Sequence, residues 1–346
     1  MKNINIQEIK ELMSPMQLKQ QFPVTSENIA FIQESRNRIS DIIKKKNSQK
    51  LVIVGPCSIH NYHMALEYAT FIKEFQAFVP NCFLVMRVYF EKPRTTNGWK
   101  GYLYDPHLDS SNKVEDGLQL VRKLLIDITN MNVPIATELL DVIIPQYVDD
   151  IISWGCIGAR TVESQLHRQL VSGLSFPMGF KNGTSGNTEV AVNACITSIT
   201  SHTFLSINEK GTISVVSTKG NDFCNVVLRG SKEKGNNIDK EIITEINKNL
   251  EKKQLNSGVI IDLSHDNTII GGQKDCSRQD QNMDSIIALL KQNVDIIGVM
   301  IESNLRHGSQ KLTTPEKLEY GVSITDGCID IPHTQEMLTK LDNFLN

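Results

Sequence analysis

Residues 225–262 decide the fold. They read Asn225-Val226-Val227-Leu228-Arg229, then a stretch carrying Ile238, Ile242, Ile246 and Leu250 at helical spacing, then Gly258-Val259-Ile260-Ile261-Asp262. A short apolar run between polar residues reads as a strand buried on both faces, and apolar residues every three to four positions read as one face of a helix. Strand, helix and strand in this order form a parallel β-α-β unit. Moving outward, further apolar runs fall at 51–54, 83–88, 133–137, 156–159, 177–180 and 296–301, and Val114, Leu118, Val121, Leu125 and Ile128 mark another helix. With 225–228 and 258–261 the runs number eight. Eight parallel strands with intervening helices close into a (β/α)8 barrel, an α/β fold.

Two segments stand outside this alternation. Residues 203–207 and 212–216 are separated only by Asn208-Glu209-Lys210-Gly211, too short for a helix, and read as a hairpin inserted at about 203–217. Ahead of the first strand, Ile29, Ile32, Ile39 and Ile43 follow roughly helical spacing and Lys44-Lys45-Lys46 reads as a solvated helix end. Residues 1–50 are therefore expected to be a helical extension packed on the barrel or on a neighbouring subunit, serving assembly and regulation. Residues 51–346 are expected to be the catalytic barrel with its hairpin.

Composition excludes several classes. The 346 residues are 40% hydrophobic and 22% charged, with a formal net charge of -3, which is ordinary for a soluble globular chain. No global basic field exists to favour nucleic acid or a membrane surface as partner. No signal-like or membrane-spanning apolar run is evident, and a cytoplasmic location is expected. Seven cysteines, odd in number and without a CxxC pair, read mostly as buried reduced thiols.

The chemistry follows the apolar runs. In order, they deliver Cys57, Arg87, Glu138, Arg160, Lys181, Arg229, Asp262 with His265, and Glu302 at or just beyond their C-terminal ends. In a barrel these ends converge on one face, where active sites sit. Arg87, Lys92, Arg94, Arg160, Lys181 and Arg229 are thus expected around one pocket. Crowded cations repel, so the cluster implies anionic ligands, phosphates and a carboxylate, which a planar guanidinium binds through paired hydrogen bonds. Cys57, His265, Glu302 and Asp326 converge from four segments as a mixed ligand set for a divalent transition metal. By residue type alone, Cys57 also reads as a packed thiol and His265 as a general base.

Ordered blocks of sequence carry a resemblance. Gly55-Pro56-Cys57-Ser58-Ile59-His60, the run from Met86 through Lys92-Pro93-Arg94-Thr95-Thr96, Gly158-Ala159-Arg160-Thr161, Gly179-Phe180-Lys181-Asn182-Gly183-Thr184, Leu228-Arg229-Gly230, Asp262-Leu263-Ser264-His265 and Ser323-Ile324-Thr325-Asp326 together resemble the type I 3-deoxy-D-arabino-heptulosonate 7-phosphate (DAHP) synthases. The resemblance implies condensation of phosphoenolpyruvate with D-erythrose 4-phosphate and water to DAHP and phosphate, the opening step of the shikimate pathway. It implies a divalent cofactor, Mn2+ or similar, on Cys57, His265, Glu302 and Asp326. Substrate contacts map to Arg87, Lys92, Arg94, Thr95, Ala159, Arg160, Lys181 and Arg229. Lys92, Glu138, His265 and Asp326 map as catalytic, with Lys92 or a water on the metal protonating the new alkoxide and Glu138 orienting the attacking water. A homodimer or homotetramer is implied. The chain departs from the pattern at Ser231 and at Asp266.

Family members are commonly inhibited by an aromatic amino acid, and the corresponding pocket maps to Pro145, Gln146, Leu174, Phe204, Ser206 and Val216. Ser206 favours phenylalanine as effector. The first seven residues, however, hold no Asp or Glu, whereas phenylalanine-sensitive forms supply acids there across a subunit contact. Two competing readings are 3-deoxy-manno-octulosonate 8-phosphate synthase, whose motif differs from Lys92-Pro93-Arg94-Thr95-Thr96, and a non-catalytic aromatic amino-acid sensor, which would have lost metal ligands.

Overall fold

A computed structural model describes residues 3–346. Two helices open the chain, α1 (Pro15–Gln21) and α2 (Ser26–Ile43), and both start on side-chain caps. Ser14 accepts from the Gln17 amide while the Gln17 side chain accepts from the Ser14 amide, and Thr25 caps α2 through the Asn28 amide. The alternation follows as β1 (Lys50–Gly55), α3 (Tyr62–Phe75), β2 (Cys82–Arg87), α4 (Val114–Asn130), β3 (Ile135–Glu138), α5 (Pro145–Val148), β4 (Trp154–Ile157), α6 (Gln165–Val171), β5 (Met178–Lys181) and α7 (Glu189–Ser198). Next come the hairpin strands β6 (Thr203–Ile207) and β7 (Ile213–Ser217), then β8 (Cys224–Leu228), α8 (Lys240–Lys252) and β9 (Val259–Asp262). A two-residue pair, β10 (Ile269–Ile270) and β11 (Gln273–Lys274), precedes α9 (Arg278–Lys291), β12 (Ile296–Glu302) and α10 (Ile331–Leu345).

Eight parallel strands close into a barrel in the order β1-β2-β3-β4-β5-β8-β9-β12, with β12 paired back to β1. The antiparallel β6–β7 hairpin lies outside it, as its short connection requires. Two expected strands shift their start by two residues. The third begins at Ile135 rather than at 133, and the fourth runs Trp154–Ile157 because Gly158 and Ala159 already belong to the loop that makes room for Glu138.

The strands alternate between two cores, as successive side chains on a strand must. Val52, Val54, Leu84 and Met86 pack outward against the helices. Leu51, Ile53, Phe83, Val85, Ala136, Trp154, Cys156, Val227, Ile260 and Met300 pack inside the barrel. Ile39, Ile42 and Ile43 of α2 join this inner core, so packing is continuous across residue 50. Ile29 instead is exposed, and Lys45 is tied to Asp295 at 2.5 Å and to Ser257 at 2.6 Å.

Candidate active site

The period of two that builds the inner core also builds the site. Continuing the inward series past Val85 gives Arg87, past Ala136 gives Glu138, past Gly179 gives Lys181, past Val227 gives Arg229, past Ile260 gives Asp262 and past Met300 gives Glu302. These six form the topmost layer of the barrel, and all are buried. Two glycines make that layer fit. A Cβ at Gly158 would lie 2.0 Å from Glu138 Oε1, and a Cβ at Gly179 would lie 2.4 Å from the Trp154 ring.

The expected repulsion among cations is answered within the protein. Arg87 Nη2 donates to Glu302 Oε1 at 3.1 Å, Lys181 Nζ to Asp262 Oδ2 at 3.1 Å and Arg229 Nη1 to Asp266 Oδ2 at 2.6 Å. Each of these buried cations is thus held by a carboxylate, as a low-dielectric interior demands. The unusual Asp266 is therefore the partner of Arg229. Glu138 differs: among the described residues no ion pair engages it, so its carboxylate is free for work. Arg160 and Thr95 meet at the rim, Nη2 to Oγ1 at 3.0 Å, both exposed. Arg94 is exposed and folds against Gly98, where a Cβ would lie 2.6 Å from Nε. Ala159 is half-buried beside Arg160.

The second constellation lies across the same mouth. Cys57, Glu302 and Asp326 present ligand atoms within 4.8 Å of one another. His265 joins through Nε2, 3.5 Å from Glu302 Oε1, while its Nδ1 lies 2.7 Å from Asp262 Oδ2. Asp262 thereby fixes which imidazole nitrogen faces the cluster, the arrangement that orients metal-bound histidines. His265 sits at φ 54, a left-handed backbone that is uncommon outside glycine and is found at functional turns. The loops carrying Cys57 and Asp326 are joined by Ser58 Oγ and Thr325 Oγ1, 2.8 Å apart.

Electrostatics prepare these donors. Burial, more than Asp262 and Glu302 oppose it, holds the His265 imidazole below its usual range, hence neutral near pH 7. Burial would raise the carboxyls, but His265 and Arg87 hold Glu302 low, His265 and Lys181 hold Asp262 well below its usual range, and Lys92 and Lys274 do the same for Asp326. Burial and then Glu302 push the Cys57 thiol up to about 11, against the Lys92 ammonium whose Nζ lies 2.8 Å from Sγ. Two ionised carboxylates, a neutral imidazole and a thiol beside a cation form a donor set that fits a divalent transition ion, with proton release from Cys57 on binding.

A cavity of about 540 Å³ opens over this side, lined by His265, Gln273, Lys274, Cys276, Glu302 and Asp326. Lys274, 3.2 Å from Asp326, is a site residue that the strand-end rule missed, since it sits on β11 outside the barrel. Asp262 was visible as a strand end, and its spacing of three from His265 was the available signal. Another cavity, about 550 Å³, lies between α7 and α8 and holds none of the expected site residues.

The residues mapped to an effector pocket surround the hairpin. Phe204 pairs with Val216 across the strands, and Phe204, Ser206 and Val216 share its half-buried face. Pro145 and Gln146 begin α5, which packs on α1, and Lys19 of α1 reaches both Asp149 at 2.9 Å and Glu209 at the hairpin tip at 3.5 Å. Leu174 follows α6, and Ser172, the C-cap of that helix, holds Thr218 at the hairpin base at 2.6 Å. His167, bonded to Ser164 and Leu140, is a structural histidine.

Comparison with known proteins places the chain in a family. The profile of the DAHP synthetase I family matches residues 20–339. The chain is 45% identical to the Tyr-sensitive phospho-2-dehydro-3-deoxyheptonate aldolase of Escherichia coli K12, over 99% of this chain and 96% of that protein. It is 44% identical to the Phe-sensitive aldolase of the same organism, with the same coverage, and 42% identical to the Trp-sensitive aldolase of Salmonella typhimurium LT2, covering 96% and 94%. Among solved structures, the phospho-2-dehydro-3-deoxyheptonate aldolase of Francisella tularensis SCHU S4 superposes with a TM-score of 0.95 at 45% identity, covering 99% of this chain and 98% of that one. The chain belongs to the DAHP synthetase I family.

Proposed function

We propose that the barrel mouth condenses phosphoenolpyruvate with D-erythrose 4-phosphate and water, releasing DAHP and phosphate, the opening step of the shikimate pathway. One observation carries this reading: a layer of strand ends holds paired Arg and Lys side chains and one unpaired carboxylate, and the Cys57, Glu302 and Asp326 donors, with His265 beside Glu302, lie across the same mouth.

Cys57, His265, Glu302 and Asp326 would hold the divalent cofactor of this metal-dependent family. When bound, such an ion supplies Lewis-acid polarisation of the aldehyde carbonyl. The remaining work falls to the protein. Arg87, Arg160, Lys181 and Arg229 bind the phosphate and carboxylate of phosphoenolpyruvate, with Ala159 beside Arg160. Arg94 and Thr95 at the rim bind the phosphate of the sugar. Ligand phosphates compete with Glu302, Asp262 and Asp266 for the same guanidinium and ammonium groups, so substrate binding relaxes pairs already formed. Lys92, kept protonated against its burial by the ionised carboxylates of Asp326 and Glu302, donates its proton to the alkoxide left when C3 attacks the aldehyde. Glu138 orients the water that adds at C2, and phosphate departs against the cationic ring.

Residues 1–50 serve assembly and regulation, and residues 51–346 catalysis. Exposed Leu205, Ile213 and Val215 on the hairpin, and Ile4, Ile6 and Ile9 in the extension, support a homodimer or homotetramer. Within that contact Pro145, Gln146, Leu174, Phe204, Ser206 and Val216 form the aromatic effector pocket, with phenylalanine favoured. Of the acid-free first seven residues, Met1 and Lys2 lie outside the described residues. The enzyme works in the cytoplasm; among the described residues no helix is long and apolar enough to cross a membrane. Phosphate release measured with erythrose 4-phosphate and with arabinose 5-phosphate tests the reaction. Turnover with the four-carbon sugar alone supports it, and a preference for the five-carbon sugar refutes it.

A further inference from the structure

Outside the barrel mouth, the loop after β12 meets the first turn of α10. Asp330 caps that helix, its Oδ1 accepting from the His333 amide at 3.1 Å and lying 2.5 Å from His333 Nδ1. Helix capping accounts for this pair and for nothing more. His307 comes from the other segment. Its ring centroid is 6.0 Å from that of His333, and ligand atoms of His307, Asp330 and His333 lie within 4.8 Å of one another.

The frame beneath these side chains is fixed. Gly308 and Cys328 exchange backbone hydrogen bonds of 2.8 and 3.1 Å, and the Asn304 amide donates to the Ile329 carbonyl at 2.8 Å. The three donors are therefore brought together by paired backbone and not by a mobile loop. Both Asp330 contacts use Oδ1, which leaves Oδ2 open among the described residues. Two imidazoles and a carboxylate suit Zn2+, Ni2+ or Cu2+ and are a poor match for Mg2+ or Ca2+.

We propose that His307, Asp330 and His333 form a second divalent transition-metal site, separate from the cluster in the mouth and taking a cation of the Zn2+ class. Three protein ligands leave a position for water. The bound ion cross-links the loop after β12 to α10. That loop begins directly after Glu302, whose carbonyl accepts from the Ile329 amide at 3.1 Å, so the cross-link braces the frame carrying Glu302 and Asp326. Binding to the folded chain alone raises its melting temperature.

The test is Zn2+ uptake by the full-length chain in equilibrium dialysis, comparing wild type, the double variant His307→Ala with His333→Ala, and Cys57→Ala. The double variant should take up one Zn2+ fewer per chain than wild type, lose the corresponding rise in melting temperature, and keep its Mn2+-supported turnover. Cys57→Ala should keep the equivalent that depends on His307 and His333. Equal uptake by wild type and the double variant overturns the proposal, and the single exposed change His307→Gln gives the same reading if the double variant folds poorly. Because the result is a difference between chains, failure of catalysis in the mouth leaves it intact.

Discussion

The barrel mouth and the inserted hairpin obey the same rule with different results. In both, side chains alternate along strands: Arg87, Lys181 and Glu302 face the barrel axis, while Phe204, Ser206 and Val216 share one face of the hairpin. Closure of the barrel then buries the mouth residues and gives nearly every charge a partner. The hairpin has two strands of five residues and leaves Leu205, Ile213 and Val215 exposed. Such a pair is marginal alone and depends on what it packs against. Alternation chooses the face, and only closure fixes the position. The paired buried charges sit where the fold closes, and the hairpin, proposed to serve regulation, sits outside that closure.

The strongest way to break this contrast is to unpair the mouth. Arg87→Met leaves Glu302 buried without its guanidinium, and removing one partner of a buried pair costs about 3–5 kcal/mol. Urea denaturation should show that loss; a change below about 1 kcal/mol would mean the ring is not held by its pairs. Asp262→Asn keeps the shape but weakens the orientation of His265. The Mn2+ concentration for half-maximal activity should rise about 10- to 100-fold, and an unchanged value would remove Asp262 from the positioning role.

A smaller effect comes from Glu91, buried next to Lys92 with the Tyr104 hydroxyl 3.4 Å from its Oε1. Burial pushes its carboxyl up to about 8 from an ordinary 4.5. The folded state therefore keeps a proton that the unfolded chain has lost, and stability falls as pH rises from about 4.5 to about 8, then levels off. Glu91→Gln should remove this slope and gain at least about 1 kcal/mol on wild type at pH 9 relative to pH 5, by chemical denaturation. Parallel pH profiles for the two chains would show that Glu91 ionises normally.

The smallest effect belongs to the hairpin. Lys19→Ala cuts a half-exposed tether to Asp149 and Glu209 and should cost under about 1 kcal/mol. It should leave kcat unchanged while shifting inhibition by phenylalanine, tyrosine or tryptophan. A flat response of wild type to all three amino acids would refute the regulatory assignment.

The sequence makes the closed layer legible because periodicity alone dictates it. Apolar runs located every barrel strand to within about two residues, and of the residues at or just beyond their ends, Arg87, Glu138, Lys181, Arg229, Asp262 and Glu302 fall in one buried layer. The pairings were not legible. Asp262 to Lys181, Asp266 to Arg229 and Glu302 to Arg87 bring together residues from separate strands, and nothing in linear order shows which cation meets which carboxylate. Lys274 was missed because β11 reaches the mouth from outside the alternation. The inner-core role of Ile39, Ile42 and Ile43 was hidden because helical spacing shows which face is apolar, not what it covers.

Under the proposed function, strand ends assemble one mouth in which Cys57 belongs to the donor set. The most direct test of this assignment is phosphate release from phosphoenolpyruvate and erythrose 4-phosphate, with added Mn2+ and after chelation, for wild type and Cys57→Ala. Several kcal/mol of transition-state stabilisation are at stake, so Cys57→Ala should fall on the order of 10³-fold and gain nothing from Mn2+, while chelation abolishes wild-type turnover. Full Mn2+-supported activity in Cys57→Ala, or wild-type turnover that survives chelation, would contradict it.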